Sequence, residues 1–553
     1  MWRNTFLLSA VAVAALWLWN PPLSWLRDGT IYVSPQGSDL HSGRTAESAV
    51  ATIQRAADMV AAGETILILP GIYREDVRVR RGGEAEKPVT FKARDGGTVT
   101  ISGAASAHTV DALQWRSEGG KIWSAQTPWP IYHVIGDDEN FYHLRWANGN
   151  GDNVYHWIGT PGRVAKLREI VARPKAWGAF TYEGDRVYIA FQDGRSPQLH
   201  RLQLNREVPR PYASWSVRAA NVWVEADHVR FEGLRFVMGV GAGILLWDSQ
   251  DVVVRDSTFA GAVSGIANFP RRTLPHGVLV ERAFYHNYPQ YFWLRDWLTW
   301  AEVYSHHSNS TLIGIVGDDI IARDNLVAHA GDGIQLSTPA ANVNRGVEIY
   351  GNLIANGTDD GMELDGHAVR TTVHHNLVYN FPTTLGMSPV LSGPLIVRDN
   401  LFLHPPGPDL GAHLKWLNPW RGRVGIEGGP IRNVTLRDNF FNGKWLCFCD
   451  WPVENVRVQN NLFADLVIDD RFRLPARVVD SGNVFVKTLH GAHDVKSACQ
   501  IKRENARPAP SSNNPQYAPR RPGPIWLDYD TAAASRDVIE LSAQWMKMTR
   551  ECG

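Results

Sequence analysis

The feature that most constrains this chain is a phrase that it keeps repeating. VRFEGLRF (229–236) is followed by VVRDSTF (253–259), IIARDNLV (320–327), VEIYGNLI (347–354) and TVHHNLVYN (372–380). LIVRDNLF (395–402), VTLRDNFF (434–441), VRVQNNLF (456–463) and GNVF (482–485) continue it. Each is a short β-branched run, a polar corner, then another apolar pair, and the period-2 alternation predicts strands. The corner asparagines Asn325, Asn352, Asn376, Asn400, Asn439, Asn461 and Asn483 are separated by 27, 24, 24, 39, 22 and 22 residues. A period in the low twenties fits one coil of a parallel β-helix, a solenoid that grows along one axis around one continuous core. It also explains how 553 residues can extend one core rather than split into several domains. Asparagine tolerates left-handed φ, and its amide can bond its equivalent on the next coil, so an asparagine ladder is expected at the corner.

The front end agrees. IYVSPQGSDLHSG (31–43) leads into VATIQRAADMVAAGETILILPGIYRE (50–75). Thr52–Ala62 has helical spacing, Gly63 can end it, and ILILPGIY starts the first coil. This opening, residues 30–103, resembles the start of right-handed parallel β-helix proteins of the pectin-lyase-like superfamily. The resemblance implies an all-β fold whose open N-terminal edge is covered by a short helical cap. An uncovered edge would offer unpaired backbone to other chains. Residues 104–215 break the rhythm and read as an inserted small β module. Its position resembles that of the β-sandwich in β-helical glycoside hydrolases. The main helix is expected over 216–490 and a C-terminal tail over 491–553, with a proline-rich stretch at 503–524 and a last helix from Ser535 to Met548.

At the N-terminus, Arg3 precedes an apolar run from Phe6 to Trp19 that Asn20, Pro21 and Pro22 end. Residues 1–25 therefore read as a secretory signal or an uncleaved membrane anchor, which predicts a periplasmic, cell-surface or extracellular protein. Cys447, Cys449, Cys499 and Cys552 are the four cysteines, and after export disulfides or free thiols suit them better than a metal site. Lysine plus arginine and aspartate plus glutamate number 56 each, so no basic excess exists for nucleic acid. The 22 tryptophans include candidates for stacking on sugar rings.

GTDDGMELDG (357–366) carries the chemistry. Aligned on the corner asparagines, GDGIQL superposes on DDGMEL, which sets Asp332 over Asp360, Gln335 over Glu363 and Ser337 over Asp365. Ile334, Leu336, Met362 and Leu364 then face inward and Gln335, Glu363 and Asp365 outward. Asp359 and Asp360 fall on the preceding turn. Stacking sets Asp332 and Asp360 one coil apart, roughly 4.8 Å. Retaining glycosidases hold their carboxyls about 5–5.5 Å apart, and like-charge crowding raises one pKa to make a proton donor. Asp332 and Asp360 are thus the leading catalytic pair, with Asp359, Glu363 and Asp365 in support.

Two other readings stay open. The acids could bind calcium, as oxygen-rich clusters do, in a uronate lyase or epimerase with His374, His375 or Arg370 moving protons. They could also be plain turn residues of a non-catalytic surface or binding protein. Candidate substrate-binding residues are His306, His307, His367, Arg370, His374, Lys415, Trp416 and Trp420, several of them on the long insertion at 403–431, where loops over one face build a binding wall. The expectation is a polysaccharide-acting enzyme, most simply a glycoside hydrolase, that needs no cofactor, with calcium as the cation of the alternative.

Overall fold

The computed structural model describes residues 29–137, 139–143, 162–174, 176, 178–208, 219–268, 273–287, 310–336, 342–404, 414–415, 429–442, 446–447, 452–464 and 477–486. The signal or anchor segment, the proline-rich stretch and the C-terminal helix expected from the sequence lie outside them, as do the side chains of all four cysteines.

Among the described residues three parallel sheets of 16, 12 and 10 strands wind together, and a typical coil contributes a strand to each in turn. The chain is a right-handed parallel β-helix. In the first sheet, strands such as Val229–Glu232, Val252–Arg255 and Leu395–Arg398 alternate between buried and half-buried positions. One column, Phe231, Val254, Val280, Ala322, Ile349, Val373, Val397 and Leu436, is at most 1% exposed and lines the interior. The second sheet contributes aromatics that stack coil on coil, with ring centroids at 5.0 Å for Phe236 and Phe259 and 4.8 Å for Phe402 and Phe441. Coil spacing and aromatic stacking distance coincide, so each added coil extends the same apolar stack.

The ladder forms between the first and second sheets. Each asparagine amide from Asn325 to Asn461 donates to the Oδ1 of the next, at 2.9 to 3.0 Å. The same Oδ1 accepts the backbone N–H of the asparagine one coil back, as at Asn352 and Asn376. Burial of these amides is harmless because every coil supplies the partner of the next. One detail corrects the sequence reading. The left-handed residue is the one before each asparagine: Asp324 (φ 55°), Gly351 (68°), His375 (54°), Asp399 (55°), Asp438 (57°), Asn460 (54°) and Gly482 (71°). That bend turns the asparagine side chain along the solenoid axis, where it meets its neighbour.

The N-terminal helix is Ile53–Met59, shorter than the spacing suggested. Thr52 caps it by accepting from the Arg55 N–H, while the Glu75 carboxylate accepts the N–H groups of Ile53 and Gln54 at 2.9 Å each. Ile53, Ala56 and Ala57 seal the end of the core against Ile31 and Ile66.

The inserted module leaves the solenoid uninterrupted. Val77–Val79 pairs with Ala220–Val224, Val89–Ala93 with Val229–Glu232, and Val99–Ser102 with Arg235–Val237. Between them lie two small, mainly antiparallel sheets, one around Ile122–Gln126, Ala179–Glu183 and Arg186–Ala190, the other around Val134–Gly136. Phe180, Val187 and Ile189 of one share a core with Val134 and Leu204 of the other. The module is fixed to the solenoid through Ile135, which packs with Val237 and Met238, and through an ion pair between Arg206 and Asp76.

Candidate active site on the third sheet

The third sheet runs through Thr311–Gly314, Ile334–Gln335, Asp360–Glu363, Thr383–Gly386 and Leu414–Lys415. Ile334 pairs with Met362 and Gln335 with Glu363, which is the register read from the sequence. Asp332 and Asp360 are vertical neighbours. The Asp360 N–H donates to Asp332 Oδ1 at 3.0 Å, and the Gly333 N–H donates to the Asp360 carbonyl at 2.9 Å.

Local backbone explains how Asp360 escapes the core, although strict alternation from Met362 would point it inward. A side chain at Gly361 would lie 2.3 Å from Val378 Cγ1, and one at Gly333 would lie 2.3 Å from Ile354 Cγ2. Both glycines therefore face the interior, next to the inward Met362 and Ile334. Two consecutive inward positions reset the phase and leave the preceding aspartate outside the wall. A Cβ on Gly386, which sits between the inward Leu385 and Met387, would lie 2.3 Å from Asp360 Oδ2. The Asp360 carboxyl thus lies over the outer face of the sheet. Glycine is required at 333 and 361 because the coil interior has no room there.

Glu363 and Asp365 also leave the core side. Gln335 donates its amide to Glu363 Oε2 at 2.7 Å, and the Ser388 N–H donates to Asp365 Oδ1 at 2.5 Å. The expectation of an openly solvent-facing group of acids needs correction. Asp332 is 0% exposed, Asp360 1%, Glu363 3% and Asp365 1%, while Asp359 and Gln335 are half-buried and give the site its contact with solvent. Burial is what gives the cluster its electrostatics. Desolvation, with Glu363, Asp359 and Asp360 adding like charge, pushes the Asp332 carboxyl well above the usual carboxylate range, and its bond from the Asp360 N–H only partly opposes this. That shift favours the protonated form of Asp332. Its Oδ1 is occupied, and its Oδ2 is buried without a hydrogen-bond partner, so the proton belongs on Oδ2.

The other expected site residues divide. His367 lies in Gly366–Val369, just past the acids, with Nδ1 2.8 Å from Ser392 Oγ. Lys415 occupies the next position of the outer column, paired with Gly386, through its backbone. His306, His307, Trp416 and Trp420 lie outside the described residues. His374 and Arg370 do not join the acids. His374 is on the first sheet, fully covered, with Nε2 3.1 Å from Glu348 Oε1, Nδ1 2.8 Å from His375 Nδ1, and its ring stacked on Tyr350 at 4.9 Å. Burial, helped by Arg398, holds its imidazole down at about 4. Arg370 is an exposed corner residue with φ 53° where the chain enters the first sheet. Both follow the acidic turn closely in sequence, but one sheet further around the coil.

Sequence reasoning missed His329. It sits three residues before Asp332, at the turn from the second sheet to the third, with φ 56° and both ring nitrogens buried without a partner. Burial alone lowers its pKa to about 4. The signal was present, since His329 aligns with Asn356 and Asn380, left-handed residues at the same corner of the next two coils. Among the described residues, no group of three His, Cys, Asp or Glu side chains is placed to hold a metal ion, and no helix is long and apolar enough to cross a membrane.

The fold defines a class, the parallel β-helix proteins. No family model matches the chain. A 78-residue stretch is 40% identical to the uncharacterized protein YwoF of Bacillus subtilis (strain 168), covering 14% of this chain and 16% of that protein's length. Among solved structures the chain is similar to XylC in complex with xylose, at 15% identity over 82% of this chain and 86% of that one, with TM-score 0.47. It is also similar to a GH136 lacto-N-biosidase from Eubacterium ramulus (11%, 84% and 65%, TM-score 0.39) and to the periplasmic alginate epimerase AlgG (13%, 77% and 78%, TM-score 0.33).

Proposed function

We propose that this chain is an exported carbohydrate-active enzyme, a glycoside hydrolase that cleaves a polysaccharide with Asp332 as general acid and Asp360 as its partner carboxylate. The observation that carries this reading is the buried Asp332 stacked on Asp360, its Oδ1 fixed by the Asp360 N–H and its Oδ2 unpartnered, in surroundings that raise its pKa. In the proposed reaction the Oδ2 proton passes to the glycosidic oxygen as the bond to the anomeric carbon breaks. The Asp360 carboxylate, one coil along at roughly 4.8 Å of backbone spacing, bonds to that carbon. Water then enters as Asp332 takes a proton back, which is the retaining course. Glu363, fixed by Gln335, adds negative charge that favours the positive character developing on the sugar.

The same crowding argues for an uncharged sugar. Among the described residues, the charged groups acting on Asp332 are the carboxylates of Glu363, Asp359 and Asp360, so a uronate would bring another negative charge into a buried negative site. The lyase and epimerase alternatives act on uronates and are disfavoured on that ground. Export rests on the charged and apolar pattern of residues 1–19. The test is incubation of the full chain with neutral and uronate polysaccharides. Release of reducing ends without an ultraviolet-absorbing unsaturated product supports hydrolysis, and appearance of that product overturns it.

A further inference from the structure

The outer face of the third sheet continues well beyond the acids. Leu245, Ala267, Gly314, Gln335 and Glu363 are successive partners in register, one per coil. Ala267, Gly314 and Gln335 are half-buried, and two of them carry almost no side chain, so this track along the sheet keeps partial contact with solvent between the buried Leu245 and Glu363 at its ends. At its far end stand two tryptophans. Trp223 pairs with Leu245, and Trp247 follows the inward Leu246. Their ring centroids are 5.4 Å apart at 42°, and the Arg78 guanidinium lies 4.8 Å from the Trp223 ring centre, holding that indole in place. Trp247 is the half-buried member, with Trp223 behind it.

At its near end the track meets the fully buried Asp332, whose Oδ2 has no partner. From Leu245 to Glu363 is four coil steps, roughly 19 Å at about 4.8 Å each. A pyranose with its glycosidic oxygen is about as long as one step. An indole face backed by a second indole is a platform for the apolar face of a sugar ring.

We propose that Trp247 is a distal sugar-binding platform, and that the substrate is a linear, uncharged glycan lying along the third sheet for about four sugars between Trp247 and the acids, so that cleavage falls within the chain. This rests on the carbohydrate reading above.

The experiment uses the full chain with unsubstituted xylan, mannan and galactan, each as polymer and as trisaccharide. Reducing-end kinetics are read alongside retardation in native gels containing the polymer. Trp247→Ala should raise KM for the cleaved polymer about tenfold, the upper range of a ring-stacking contribution, and this loss should exceed that on the trisaccharide by a similar factor. Trp247→Phe should recover most of it, which separates stacking from misfolding. Equal losses on polymer and trisaccharide, or no loss, overturn the inference while leaving hydrolysis standing. Retardation that depends on Trp247 without cleavage supports the platform and removes the hydrolase reading. Neither retardation nor cleavage on any of the polymers overturns both.

Discussion

Asp332→Asn isolates the proton on which the proposed chemistry depends. Asparagine has nearly the shape of a protonated aspartate and keeps an Oδ1 to accept the Asp360 N–H, which lies 3.0 Å away. The fold should survive the exchange. The stability difference should depend on pH in a defined sense. In the unfolded chain Asp332 loses its proton near the reference value of about 3.9. In the folded protein burial and three neighbouring carboxylates hold the proton to higher pH. The folded state therefore binds more protons, and this group's contribution to stability is full below about 3.9 and falls as pH rises toward its folded pKa. The slope is about 1.4 kcal/mol per pH unit for one proton, and it vanishes in the variant. Unfolding of both proteins by urea across a pH series, followed by tryptophan fluorescence, gives the difference curve. The variant should gain on the wild type steadily above about pH 4, then level off where the folded carboxyl ionises. Parallel curves would refute the reasoning, because they would mean that Asp332 ionises alike in both states.

Other perturbations test neighbouring parts of the account. Asn376→Ala removes the acceptor of the Asn352 amide and backbone N–H and the donor to Ile349 and Asn400; by thermal unfolding it should cost about 3 kcal/mol or more, since buried partners are left unpaired. His329→Asn replaces a buried, unpartnered imidazole at φ 56° with the residue that the next two coils use there, where Asn380 already donates to Asn356 at 2.7 Å. It should stabilise by about 1 kcal/mol in the same assay. Hydrolysis should proceed with retention of anomeric configuration, read from the first-formed product by proton NMR. Activity should persist in excess chelator, since the proposed step uses a carboxylate pair rather than a bound cation.

The solenoid was legible because its repeat is written in covalent order. Asparagines 22 to 39 residues apart can satisfy one another only if the chain returns to the same place each coil. The vertical match of Asp332 with Asp360 follows from the same registration. Less legible was anything decided by backbone phase or by what lies around the corner. Alternation from Met362 cannot reveal that Gly361 also faces inward, and that single irregularity puts Asp360 outside. His374 is only 14 residues from Asp360, yet it lies on the next sheet around the coil, so closeness in sequence misled. Burial of the acids could not be read from their polarity, which suggested exposure. His329 was hidden in another way. Its place in the repeat belongs to asparagine, and attention to the acids passed over the substitution.

The most direct test of the stacked pair is a cycle of kcat/KM for the wild type, Asp332→Asn, Asp360→Asn and the double variant on the polymer that the protein cleaves. Two groups working as one unit should each cost about 10²-fold or more alone, and the double variant should be little worse than the more damaged single one. Full activity in either single variant, or small losses that simply multiply, would contradict the account.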